Sequence, residues 1–194
     1  MFGSGEIAVI LTHMRGRDQT SWFPFARFIA ESGYKVFTFD FRGYGKSTGT
    51  KDTRMDRDLE AAIAYMRAKG AQQVVLIGAS MGGTAVIELA SESQVQGVAA
   101  LSPPAEFGRI NALTAVESMV IPLLLIVSEN DYQYYSDARK IESAAAATQF
   151  LVVEGQQHGT NMIAEHRNEI FANLLAFLDR WTDDRLLTTV QTES

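Results

Sequence analysis

Ser80 stands in the run Gly78-Ala79-Ser80-Met81-Gly82-Gly83, with a glycine two residues away on either side. A serine hydroxyl is a weak nucleophile unless it is held at a sharp turn, beside a base and close to backbone donors that can receive an oxyanion. So tight a turn brings backbone atoms together and leaves no room for a Cβ at Gly78 or Gly82. Val74, Val75, Leu76 and Ile77 before it read as buried strand, and a helical pattern follows it. That context suits acyl transfer through a serine ester. It requires three further things from the chain: a general base, a carboxylate to orient the base, and donors for the oxyanion.

The choice of base is short, because the only histidines are His13, His158 and His166. His158 lies in Gly155-Gln156-Gln157-His158-Gly159, a polar loop directly after the β-rich residues Phe150, Leu151, Val152 and Val153. A loop at the carboxyl end of a strand is where an open α/β sheet carries its chemistry. His166 falls inside a helical pattern with Glu165 and Glu169 on its face and reads as a surface residue. For the orienting acid the best position is Asp131, which follows the apolar strand 123–127 and the polar step Ser128-Glu129-Asn130. It would accept the Nδ1 proton of His158, fix the tautomer and stabilise the imidazolium formed as Ser80 attacks. Glu129 and Asp137 compete for that role.

The order Ser80, Asp131, His158 along the chain is the order of the α/β-hydrolase triad, and not that of chymotrypsin-like or subtilisin-like enzymes. Two further stretches carry the same likeness. Leu11-Thr12-His13-Met14-Arg15-Gly16 resembles the family's His-Gly-x-x-Gly loop, and Asp40-Phe41-Arg42-Gly43-Tyr44-Gly45-Lys46-Ser47 is similar to its D-x-R-G-x-G-x-S turn. The chain thus resembles the α/β-hydrolase superfamily over nearly its whole length, in particular the small lidless serine esterases and dienelactone-hydrolase-like members. The resemblance implies an oxyanion hole made by the backbone N–H groups of Met81 and Arg15. Met81 would open a helix whose first N–H groups lack internal partners and whose dipole favours negative charge. Met14 replaces the usual glycine of the first loop, which makes its own N–H the alternative second donor, and His13 then reads as a structural residue holding that loop. A cysteine nucleophile marks dienelactone hydrolases proper and an elbow aspartate marks haloalkane dehalogenases; this chain has no cysteine and carries serine at the elbow.

The elements that must position these groups alternate along the chain. Strand-like runs fall at 7–12, 35–41, 73–78, 97–101, 123–128 and 149–153, separated by helical patterns at 21–31, 52–69, 81–91, 136–147 and 161–181. Met55, Leu59, Ile63 and Met66 recur at helical spacing and form a core stripe. Buried strands alternating with such helices argue for a parallel sheet covered on both faces. The expected fold is therefore α/β: a single α/β-hydrolase domain over 1–181 with a minimal, mostly parallel six-stranded sheet, and a C-terminal tail over 182–194. By the resemblance, the chain begins at the third strand of the family's full sheet. Family lids are inserted where this chain has only 103–120, room for a short helix, so an open site without a cap domain is expected.

An open site suggests small or short-acyl esters. Phe107, Met119, Tyr132, Tyr134 and Tyr135 are candidates for an apolar pocket near Asp131, and Arg15 is a candidate for favouring anionic substrates at the mouth. Two other glycine motifs lead nowhere. Gly45-Lys46-Ser47 lacks the upstream glycine of a phosphate-binding loop, since position 40 is Asp, and Gly78 to Gly83 fails G-x-G-x-x-G at Ser80. The formal net charge of −6 over 194 residues argues against nucleic acid as a partner. The strongly apolar run 119–127 is interrupted by Pro122 and too short to span a bilayer. Glu6 interrupts the first apolar stretch and no basic start precedes it, unlike a signal peptide. The lack of cysteine is compatible with the cytoplasm. The expectation is a serine carboxylic-ester hydrolase acting on a small-molecule ester, with no cofactor and no metal. Thioesterases, lactonases and peptidases use the same parts, and a non-catalytic ligand receptor can keep the same fold.

Overall fold

The computed structural model describes residues 1–52 and 54–182. The chain alternates strand and helix: β1 (Ile7–Thr12), α1 (Phe23–Glu31), β2 (Lys35–Phe39), α2 (Met55–Ala68), β3 (Gln73–Ala79), α3 (Met81–Ala90) and β4 (Gly97–Leu101). A two-stranded hairpin of β5 (Glu106–Phe107) and β6 (Ile110–Asn111) leads into α4 (Ala112–Ser118). Then come β7 (Leu123–Ser128), α5 (Tyr132–Ala144), β8 (Thr148–Val153) and α6 (Ile163–Thr182).

Six strands form one sheet in the order β2-β1-β3-β4-β7-β8, and every pairing in it is parallel. Both faces are buried, because alternate residues of each strand serve opposite cores. Ala8 and Ile10 of β1 pack with α2, α3, α4 and α5 on one side, whereas Val9 and Leu11 pack with α1 and α6 on the other. The chain leaves β1 for β2 on one side and returns to β3 on the other, so the loops after β1 and β3 diverge. A crevice opens there at the carboxyl ends of the strands, where open α/β sheets bind ligands.

Departures from the sequence reading are local. β2 stops at Phe39 rather than running to 41, because Asp40 turns its carboxylate onto the loops: it accepts hydrogen bonds from the N–H groups of Gln19 and Lys46 at 2.8 and 2.9 Å. Helix 21–31 begins as a 3₁₀ turn over Gln19–Trp22, capped by Asp18, before α1 starts with a proline in its first turn. α2 begins at Met55 instead of 52, since Asp52 and Arg54 take left-handed φ of 55° and 53°. α5 begins four residues earlier than expected; Tyr132, Tyr134 and Tyr135 are indifferent helix formers that hid its first turn. The hairpin was too short for any periodicity to mark. Only this hairpin and the seven-residue α4 lie between β4 and β7, so no cap covers the sheet from that segment. At the C-terminus, Thr182 ends α6, is buried and hydrogen-bonds the Leu178 carbonyl at 2.7 Å. The remainder of the expected tail lies outside the described residues.

Candidate active site

Ser80 sits between β3 and α3 with φ 50° and ψ −120°, a conformation an L-residue holds only when its surroundings force it, at a cost on the order of 1–3 kcal/mol. The forcing is visible on both sides. A Cβ at Gly78 would lie 2.3 Å from the Gly82 carbonyl oxygen, and one at Gly82 would lie 2.7 Å from the His13 carbonyl oxygen. The Ser80 N–H donates to the Leu101 carbonyl at 2.8 Å, which anchors the turn to β4. The Thr12 hydroxyl donates to the Gly82 carbonyl at 3.1 Å, tying the end of β1 to the first turn of α3. The Ser80 side chain makes no capping hydrogen bond to α3, which leaves its hydroxyl available for other chemistry.

Asp131 and His158 come together although 27 residues separate them: His158 Nδ1 lies 2.8 Å from Asp131 Oδ2. Their side chains are 22% and 9% exposed. Asp131 caps α5 through its backbone alone, its carboxylate making no capping bond to the helix, so the carboxylate is spent on His158. The competitors are placed elsewhere. Glu129 is exposed and accepts from Asn130, and Asp137 is buried, holding the Ala105 N–H at 3.2 Å and Lys140 at 3.0 Å. His166, expected at the surface, is half-buried in α6 at a break in its helical backbone and faces Glu169 at 3.9 Å.

Three further residues hold the His158 loop: Ser128 and Ser102, to which the sequence reading gave no role, and Tyr134, which it offered as a pocket residue near Asp131. Ser128, buried at the end of β7, donates its hydroxyl to the Gln157 carbonyl at 2.6 Å. Ser102, buried at the end of β4 with a left-handed φ of 47°, accepts from the Gly159 N–H at 3.2 Å. The peptide units on both sides of His158 are thus clamped. Tyr134, one turn into α5, lays its ring on the imidazole with centroids 4.0 Å apart. Replacing Ser128 by Ala leaves the Gln157 carbonyl without its donor and lets the histidine wander. On the ester chemistry expected from the sequence, kcat should fall about tenfold to a hundredfold with little change in KM, and a KM effect without a kcat effect would contradict the clamp.

His13 is completely buried and uses both ring nitrogens: Nδ1 donates to the Met14 carbonyl at 2.9 Å, and Nε2 accepts from the Phe41 N–H at 3.1 Å. It therefore holds the loop after β1 against the Asp40 turn. Burial lowers its pKa below 6.5. Below about pH 6.5 the unfolded chain binds a proton that the folded one refuses, so stability falls as pH falls. The urea midpoint of the wild type should drop more steeply from pH 7 to 5.5 than that of His13→Gln; equal slopes would remove His13 from the account.

Met81 is the first residue of α3, so its N–H has no acceptor within the helix. Arg15 lies on the loop after β1, two residues beyond His13, whose carbonyl approaches Gly82. Its exposed guanidinium is paired with Asp52 at 3.3 Å and rests 5.8 Å over the Phe107 ring. Asp52 also accepts from the Tyr44 hydroxyl, whose pKa burial and that carboxylate push up to about 12. The positive charge expected to favour anionic substrates is thus largely offset by Asp52. Of the five candidate pocket residues, Tyr134 meets His158 and Phe107 meets Arg15. Met119 is buried in the core, Tyr135 of α5 is partly buried against it, and Tyr132 is exposed. Among the described residues no three metal-ligating side chains gather, and no helix is long and apolar enough to cross a membrane.

Known proteins share this architecture. A monoacylglycerol lipase from Paleococcus ferrophilus superposes with a TM-score of 0.80 at 18% identity, covering 93% of this chain and 97% of that one. An esterase from Pyrococcus furiosus gives 0.78 at 22% identity over 92% and 83%. In sequence, the Escherichia coli protein YfhR is 29% identical over 97 residues, 48% of this chain and 34% of its own length. The E. coli 2-hydroxy-6-oxononadienedioate/2-hydroxy-6-oxononatrienedioate hydrolase is 35% identical over 86 residues, 42% of this chain and 30% of its own. The matched region spans only about a third of the length of these curated relatives. The family model for the alpha/beta hydrolase fold matches residues 7–138, well over half of the sequence, and the chain accordingly belongs to the alpha/beta hydrolase fold family.

Proposed function

We propose that this protein is a serine carboxylic-ester hydrolase in which Ser80 is the nucleophile, His158 the general base and acid, and Asp131 the residue that orients His158. Ser80 Oγ attacks the acyl carbon while His158 Nε2 takes its proton. The oxyanion is received by the backbone N–H groups of Met81 and Arg15. His158 returns the proton to the departing alcohol oxygen, and water then cleaves the Ser80 ester by the same steps. The observation that carries the reading is the 2.8 Å bond between His158 Nδ1 and Asp131 Oδ2: it fixes the tautomer that leaves Nε2 free to accept a proton. The strained Ser80 backbone supports it, because strain of this kind persists where a side chain must be presented. A ligand receptor of the same fold would have no use for the pair.

With only a hairpin and α4 between β4 and β7, nothing in that segment folds over a long acyl chain, which favours short-acyl esters. Structural relatives described as a monoacylglycerol lipase, an esterase and an enol-lactonase fit hydrolysis of an acyl–oxygen bond. The test is hydrolysis of p-nitrophenyl esters from acetate to decanoate. Activity that is highest at acetate and butyrate and declines with length is expected; a folded wild type inert toward every ester would refute the reading.

A further inference from the structure

A groove of about 810 Å³ opens between the loop after β1 and the loop that carries His158, and none of Ser80, Asp131 and His158 lines it. It is lined by Gln157, Asn161 and Glu165, from the loop and helix on either side of His158. Arg17 and Asp18, just beyond Arg15 in the loop after β1, and Lys51 also line it. Thr160, also lining the groove, is 3.3 Å from Met14, so the two loops touch there.

Position determines which part of an ester reaches this groove. With Nδ1 committed to Asp131, His158 must pass its proton to the leaving oxygen through Nε2, so the alcohol departs on the His158 side of the acyl carbon. The neighbours of His158 in the loop, Gln157 before it and Thr160 and Asn161 after it, line the groove. Chemistry then determines which alcohol fits. Two cations, Arg17 and Lys51, and two anions, Asp18 and Glu165, line the groove, so its formal charge balances and gives no net preference for a charged group. Arg17 already donates to Asn161 at 3.0 Å, and Gln157 donates to Glu165 at 2.8 Å. Each of these groups retains further donor or acceptor capacity. An alkyl alcohol lying here would take water from those groups and return no hydrogen bond, a net loss. A neutral alcohol bearing several hydroxyls replaces the water bond for bond.

We propose that this groove receives the alcohol half of the substrate, and that this alcohol is a small neutral polyol of the glycerol or monosaccharide kind. The proposal rests on the serine-hydrolase reading above. The bond broken is the acyl carbon–oxygen bond: the acyl group passes to Ser80 Oγ, the Ser80 proton goes through His158 to the polyol oxygen, and the polyol leaves neutral from the groove. Water then releases the acid.

The test compares kcat/KM on four butyrates sharing one acyl group: glyceryl 1-monobutyrate, 6-O-butyryl glucose, ethyl butyrate and p-nitrophenyl butyrate. At least one polyol ester should exceed ethyl butyrate by about tenfold or more, and the arm that does so identifies the polyol. In Asn161→Leu and Glu165→Leu the polyol-to-ethyl ratio should collapse to within threefold of unity. The ratio is insensitive to a general loss of active enzyme, and the wild-type ratio decides alone should a variant fail to fold. Wild-type enzyme that turns over p-nitrophenyl butyrate yet shows a ratio near one on both polyol arms overturns the groove assignment while leaving the esterase standing. Variants that fold and keep the wild-type ratio overturn it as well. Failure on p-nitrophenyl butyrate itself removes the serine-hydrolase reading first.

Discussion

Replacing Ser80 by Ala should lower kcat on p-nitrophenyl acetate by about 10⁵ to 10⁶ while leaving the melting temperature within about 2 °C of wild type. The size of the loss follows from what remains. Without Oγ there is no acyl-enzyme, His158 has no hydroxyl to deprotonate, and only oxyanion donors and substrate binding still lower the barrier for direct attack by water. The melting temperature is protected for a separate reason. The unfavourable φ of 50° and ψ of −120° at position 80 weighs on alanine as it does on serine, since both carry a Cβ. The bonds that hold the turn, from the Ser80 N–H to the Leu101 carbonyl and from the Thr84 N–H to the Ser80 carbonyl, belong to the backbone. The hydroxyl itself caps nothing. Activity within tenfold of wild type in a folded variant would show that some other group attacks the ester.

Much of this site was legible before any coordinate was known, and the reason is topological. In a parallel sheet every strand ends at the same edge, so residues in the loops just after β3, β7 and β8 are gathered together whatever the distance between them in sequence. Ser80, Asp131 and His158 each follow an apolar strand by a few residues, and strand ends are what hydrophobic runs mark well. Groups that act across loops left no such mark. Ser102 and Ser128 meet the His158 loop 57 and 29 residues away, and nothing local separates a clamping serine from any other at a strand end. The pocket candidates divided for a related reason: apolar character predicts burial without saying in which layer, so Met119 went to the core and Tyr135 against it while Tyr134 met the histidine. The polar groove draws on three segments far apart in sequence, 16–21, 44–51 and 157–165, and a helical pattern read at 161–181 does not say that its first turn meets the other two. Asp40 ended β2 early because its carboxylate is recruited by Gln19 and Lys46, contacts invisible to a reading of the strand alone.

Asp131→Asn should lower kcat on the same ester by about 10⁴ with the fold retained. Asparagine keeps the shape of the side chain, and the backbone bonds at this position, from the Asp131 N–H to the Ser128 carbonyl and from the Tyr135 N–H to the Asp131 carbonyl, stay in place. The change at His158 is electronic. If the amide nitrogen faces Nδ1, that nitrogen must accept, the proton moves to Nε2, and the imidazole presents a donor where a base is needed. If the amide oxygen faces Nδ1 instead, the tautomer survives but the carboxylate charge that stabilises the imidazolium is gone. Neutral competitors supply the control. Glu129→Gln alters an exposed residue paired with Asn130 and should leave kcat within about twofold. Asp137→Asn weakens the hold on the Ala105 N–H, so it should lower the melting temperature more than it lowers kcat. The three carboxylates lie within nine positions of one another, yet the expected losses separate by several powers of ten, because only Asp131 touches the histidine. Equal losses in Asp131→Asn and Glu129→Gln, or a loss below tenfold in the former, would mean that the 2.8 Å pair positions a loop rather than a base.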